Sequence, residues 1–125
     1  LAVAKQALYE LIVLSPNEKS LKDSLAILYI NAGMLREAIL LSREILENNA
    51  DNLPILEIKA VSEQNLGLSK EALSSFESLY TKTKSVYHLY QIATLQYELK
   101  RIAECNSSLD QILASADLND KTINM

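Results

Sequence analysis

Only two glycines occur in the 125 residues, Gly33 and Gly67, and each is followed at the same distance by a Glu-Ala pair, Glu37-Ala38 and Glu71-Ala72. Glycines and alanines alike recur after 34 residues. A chain that repeats at a period of this size must stack copies of one supersecondary unit, because a single unit cannot bury its own apolar face. Sliding the sequence by 34 pairs Ala26 with Ala60, Asn31 with Asn65, Arg36 with Lys70 and Ile45 with Leu79. A further step of 33 pairs Ala60 with Ala93, Ala72 with Cys105, Phe76 with Leu109 and Leu79 with Ile112. In the other direction Ala38 meets Ala4, Ile45 meets Leu11 and Ala50 meets Pro16, so the chain opens on half a copy. The expected plan is one repeat domain over residues 1–118, with a half copy at 1–18 and full copies at 19–52, 53–85 and 86–118. Residues 119–125 are a tail or the start of a further repeat helix.

Within a copy, Leu21, Leu25, Leu28 and Tyr29 recur at helical spacing, the pattern stops at Gly33, and it resumes with Leu35, Ala38, Ile39, Ser42, Ile45 and Leu46. Glycine suits the left-handed position just past a helix end and lets the chain reverse within a few residues. Each copy therefore reads as two antiparallel helices. Small residues, Ala26 with Ala38 and Ala60 with Ala72, are expected where the paired helices approach most closely, and Cys105 takes the same place in the last copy. The sparse Gly and Pro and the 49% hydrophobic content agree with closely spaced helices and leave little turn chemistry for hairpins. About seven helices are predicted, near 2–14, 19–32, 35–48, 53–66, 69–82, 86–99 and 102–115. Asn52 is a candidate cap, and Pro54 suits a first helical turn.

These residues resemble the tetratricopeptide repeat. The similarity is clearest in "LAILYINAGMLREAILLSREIL", where Leu25, Ala26, Tyr29, Gly33 and Ala38 stand at the family spacing. The second copy keeps Ala60, Gly67, Ala72 and Phe76 but has Lys59 and Glu63 where the family uses Leu and Tyr. The third has Lys100 for the glycine and Cys105 for the alanine. What the resemblance implies is an all-α fold, a right-handed α-α superhelix of antiparallel helix pairs in the manner of a tetratricopeptide-like solenoid.

Little in the chain suggests chemistry. One histidine, one cysteine and no glycine-rich phosphate loop leave no candidate catalytic set, and no cofactor or metal site is expected. His88 reads as a partly exposed structural side chain, and Cys105 as a buried thiol filling space. Asn106 to Ser108 matches a glycosylation acceptor, for which chance is the better account. With 12 basic and 16 acidic residues, net charge −4, and no cluster of more than two adjacent cations, the phosphate-neutralising patch of a nucleic-acid binder is missing. Membrane insertion is not expected either, since no apolar run approaches the roughly 18–20 residues that span a bilayer. The compartment stays open between cytoplasm and periplasm. The start at Leu1 and the half copy suggest a piece of a longer array.

In the family, the first helix of each pair lines a concave groove. By residue correspondence that groove would carry Asp23, Ile27, Ile30, Asn31, Glu57, Val61, Gln64, Asn65, Tyr87, Tyr90, Thr94, Tyr97 and Glu98. Tyr87, Tyr90, Thr94 and Tyr97 advance by helical steps and form a stripe opposite Leu89, Ile92 and Leu99. Tyrosine couples large contact area to one hydrogen-bonding tip, which suits a binding anchor; the same rings would equally suit packing against a following repeat. Asn31 and Asn65 offer amides to a peptide backbone. Some family members clamp acidic chaperone tails with cations at positions that here hold Asp23, Ile27, Ile58, Tyr87 and Gln91, so this groove is expected to favour neutral or basic segments. The charged pairs on second helices, such as Arg36-Glu37 and Arg43-Glu44, read as a solvated outer face. Two functions remain open on the sequence: a noncatalytic scaffold holding a protein or peptide partner, or a structural assembly module that self-associates through uncapped end helices, either alone or as the repeat arm of a larger multidomain protein.

Overall fold

In the computed structural model, residues 19–123 are described together with Gln6 and Glu10, and side chains are described for Gln6, Glu10 and residues 21–115. Within residues 19–123 six helices follow one another: α1 Lys19–Asn31, α2 Leu35–Asn48, α3 Leu53–Asn65, α4 Ser69–Thr83, α5 Val86–Glu98 and α6 Ile102–Ile123. There is no strand among the described residues. Gln6 and Glu10 are helical, with Gln6 Nε2 donating to Glu10 Oε1 at 3.5 Å; the rest of the helix expected at 2–14 lies outside the described residues. α6 continues past its expected end near residue 115 to Ile123, and neither glycine nor proline interrupts that stretch.

The packing resolves into two compact units, one ending at Leu68 and the other beginning at Ser69. In the first, α1 lies on α2, α2 on α3, and α1 also on α3; in the second, α5 lies between α4 and α6. Consecutive helices that pack side by side across turns of a few residues must run antiparallel. Burial on α2 falls on Ala38, Ile39, Ser42 and Ile45, the stripe read from the sequence. Ala38 packs with Leu25 and Tyr29, while Ala26 belongs to a second cluster with Ile45 and Ile55. The small residues thus admit different neighbours: a side chain without bulk at Ala38 makes room for the Tyr29 ring, and one at Ala26 lets α2 and α3 both close on α1. Ala60, Ala72 and Cys105 are buried as well.

The turn after the first helix of each copy has one geometry throughout. Gly33 and Gly67 adopt φ of 76° and 81°, and Lys100 adopts 62° in spite of its Cβ. Around each, two amides fold back on the helix end: Gly33 N to Ile30 O with Met34 N to Tyr29 O, Gly67 N to Gln64 O with Leu68 N to Glu63 O, and Lys100 N to Tyr97 O with Arg101 N to Gln96 O. This is the Schellman arrangement, which satisfies carbonyls that the helix itself leaves open. The turn persists where its glycine is lost because those hydrogen bonds and the packing of both helices outweigh the left-handed strain. Lys84, also at positive φ (55°), closes α4 with a single bond from its amide to Tyr80 O and sets its ammonium 5.2 Å from the Tyr80 ring.

The departure at Lys59 and Glu63 has a physical resolution. Glu63, in the place of the family aromatic, is fully buried, and Lys59 Nζ reaches its Oε2 at 3.0 Å. One turn of α3 therefore carries an ion pair where α1 carries Leu25 and Tyr29. In α5 the same register holds Ile92 and Gln96, and the Gln96 Oε1 accepts from the buried Ser108 hydroxyl at 2.8 Å. A polar group at this buried position is admitted when a partner comes with it.

Denaturant unfolding of four variants checks these statements. Lys100→Gly relieves a left-handed strain of roughly 1–2 kcal/mol against about 0.4–1 kcal/mol of extra unfolded-state entropy, a net gain of about 0.5–1 kcal/mol. Gly33→Ala, where an added Cβ meets open space, should lose about 1 kcal/mol through φ alone. Breaking the pair at the buried Glu63 with Lys59→Met should cost about 3 kcal/mol, and Lys59→Met with Glu63→Met should recover most of it, since an apolar pair needs no compensating charge. A double variant as unstable as the single would show that the pair itself is not what Lys59 contributes.

Candidate functional site

The residues expected to line a groove fall on α1 and α3 in the first unit and on α5 in the second. On α1, Ile27 and Asn31 are exposed, and Asp23 and Ile30 are half-buried; on α3, Asn65 is exposed, and Glu57, Val61 and Gln64 are half-buried. Because α1 packs directly on α3, these form one neighbouring pair of helix surfaces. Asp23 is less free than its sequence position suggested. Its Oδ2 accepts from Asn52 Nδ2 at 3.3 Å, and the Asn52 Oδ1 in turn caps α3 by accepting from Ile55 N at 3.4 Å. The carboxylate thereby anchors the α3 N-terminus, and Pro54 lies in the first turn as expected.

On α5 the stripe is open. Tyr87, Tyr90 and Tyr97 are 53%, 56% and 68% exposed, and Thr94 between them is half-buried with its hydroxyl donating to the Tyr90 carbonyl. The opposite side buries Leu89, Ile92, Ala93 and Leu95. Three rings more than half accessible on one face of a rigid helix present apolar area and phenolic tips together, without the ordering cost of a loop. Glu98, at the end of this face, accepts from the Ser69 hydroxyl at 3.2 Å, which sets its charge beside the N-terminus of α4.

His88 corrects the sequence reading. Expected to be partly exposed, it is buried at the foot of the tyrosine face, 6.1 Å from the Phe76 ring and edge-on to Tyr87 at 5.5 Å. Thr83 explains it. The threonine hydroxyl donates to Leu79 O at 2.9 Å and accepts from Ser85 N at 3.2 Å, so the His88 Nδ1 at 2.9 Å must be the donor in their contact. The imidazole is thus a staple between the end of α4 and the start of α5 and a wall behind Tyr87. No sequence signal pointed to this; its partner lies five residues back, off the helix that carries it. The Asn106 to Ser108 acceptor motif is helical, and the Ser108 hydroxyl is committed to Gln96 in the interior. Among the described residues no group of His, Cys, Asp and Glu is placed to hold a metal ion, and no helix is long and apolar enough to cross a membrane.

Solved structures share this architecture over nearly the whole chain. A MamA mutant superposes with a TM-score of 0.83 at 18% identity, covering 94% of this chain and 65% of its own. A tetratricopeptide repeat protein from Parabacteroides merdae gives 0.80 at 23% identity, covering 91% of this chain and 46% of that one. The fold is that of the tetratricopeptide repeat. MamA AMB-1 gives 0.81 at 18% identity over 90% of this chain and 62% of the other. The chain spans less than two thirds of the length of each of these neighbours. No family model matches the sequence, and no curated protein matches it. The all-helical repeat architecture expected from the period is therefore shown.

Proposed function

We propose that the chain is a noncatalytic scaffold that binds a protein or peptide segment on the exposed faces of its first helices, with the repeat plan 19–52, 53–85 and 86–118 as its frame. The observation that carries this reading is the α5 face: Tyr87, Tyr90 and Tyr97 stand open on a helix whose other side is core. A soluble helix that exposes three aromatic rings in register carries a surface suited to recognition, since such rings dominate the energetics of protein interfaces. Glu98 at one end and the π-faces of the rings favour a cation, so the preferred occupant is an extended neutral or basic segment with an apolar anchor. Within the first unit, Asn31 on α1 and Asn65 on α3 are exposed and offer amides to the backbone of a segment bound there. Titration of a labelled Lys- and Arg-bearing peptide followed by anisotropy tests this. Tyr90→Ala with Tyr97→Ala should weaken binding by about tenfold or more; an unchanged affinity would remove the tyrosine face from the reading.

One observation favours a structural assembly role as the second reading. Ile102, Leu109 and Leu113 are exposed at 50%, 41% and 61% along one stripe of α6, an uncovered apolar face suited to pairing between copies. Leu8, Leu11 and Ile12, the apolar flank expected at the other end, lie outside the described residues. Sedimentation across a concentration series should show a dimer that Leu109→Lys with Leu113→Lys abolishes. A mass that is monomeric at every concentration would leave the scaffold reading alone.

A further inference from the structure

The outer side of α2, read from the sequence as solvated charge, contains a cleft. Arg36, Ile39, Leu40 and Arg43 line it from α2, and Leu66 and Leu68 from the turn that follows α3. Its volume of about 240 Å³ lies below that of pockets that engulf a whole ligand, roughly 300–1,000 Å³, and leaves room for an apolar side chain of a larger partner. Ile39 is buried at its base, while Leu40 is 64% exposed and Leu68 is also open. Arg36 and Arg43 are both exposed, and neither makes a hydrogen bond or ion pair among the described residues. Glu44, the acidic neighbour of Arg43, is instead drawn to Lys22 of α1 at 3.1 Å.

The two arginines are seven positions apart, so they stand roughly 10 Å apart along one helix face, with Leu40 between them. We propose that this cleft is a second binding surface, taking an acidic segment in which one large apolar side chain enters between Arg36 and Arg43. Charge complementarity selects the occupant. Two unpaired guanidiniums offer planar donor forks to carboxylates, and the open leucines offer apolar area that a free anion would leave unused. A hydrophobic anchor flanked by acids satisfies both at once. The cleft shares no residue with the tyrosine face and has the opposite preference in charge, so it does not depend on the function proposed for that face.

The test is a titration of the chain with a short fluorescein-labelled peptide carrying glutamates on either side of a single central leucine, beside a second peptide with serine replacing that leucine. Saturable binding of the leucine peptide is expected, with at least a tenfold loss for the serine peptide and for Arg36→Glu with Arg43→Glu. Tyr90→Ala with Tyr97→Ala should leave it unchanged, which separates failure here from failure of the tyrosine face. Leu40→Ser, at an exposed position, gives an independent variant should the charge reversal disturb helicity, and it should weaken binding in the same direction. Equal affinity for both peptides would mean that charge alone is read and would overturn the cleft. Absence of saturable binding, or binding lost only in the tyrosine variant, would overturn the surface altogether.

Discussion

Each first helix is ended by a residue held at positive φ, with two amides turned back onto the open carbonyls. From this reversal come the antiparallel pairing of α1 with α2 and of α5 with α6, and the register in which Ala38 meets Leu25 and Tyr29. The constraint is one of hydrogen bonding more than of residue type. Lys100 adopts the conformation of Gly33 and Gly67 because the peptide groups around it need the same partners. A glycine there lowers the cost of the turn without being the cause of it.

The architecture was legible because it is written in residues that act locally. Glycine spacing placed the reversals, apolar periodicity placed α2 from Leu35 to Asn48 at its expected ends, and the small residues Ala38, Ala72 and Cys105 marked buried positions. Asn52 and Pro54 announced the start of α3. What remained hidden depends on contacts between distant side chains. Asp23 meets Asn52 and Glu98 meets Ser69, each across 29 residues, so two carboxylates assigned to a free groove in fact help to fix helix ends. Lys59 and Glu63 looked like lapses in the repeat, since a one-dimensional pattern scores each charge alone while the fold buries Glu63 with the half-buried Lys59 as its partner. The burial of His88 escaped for a related reason: its neighbour in the sequence, Tyr87, is exposed, and its partner Thr83 belongs to another helix.

The two exposed surfaces differ in how local their origin is. The tyrosine stripe follows from spacing on a single helix, and its openness required only that nothing among the described residues cover it. The cleft beside Arg36 and Arg43 needed the turn at Leu66 to Leu68 brought against α2, which no pairwise periodicity encodes. Conversely, Glu44 and Lys22 show why adjacent charges of opposite sign in a sequence are a poor guide to pairing: the glutamate next to Arg43 serves a different helix.

The shortness of the turns has a consequence for how the chain reaches this state. Within each unit the packed helices are neighbours or next neighbours along the sequence, so nearly every contact closes a small loop. The entropy lost before the first tertiary contact forms is then low, and a topology of this kind places a polypeptide among those that fold quickly, from several starting points, without waiting for distant ends to meet.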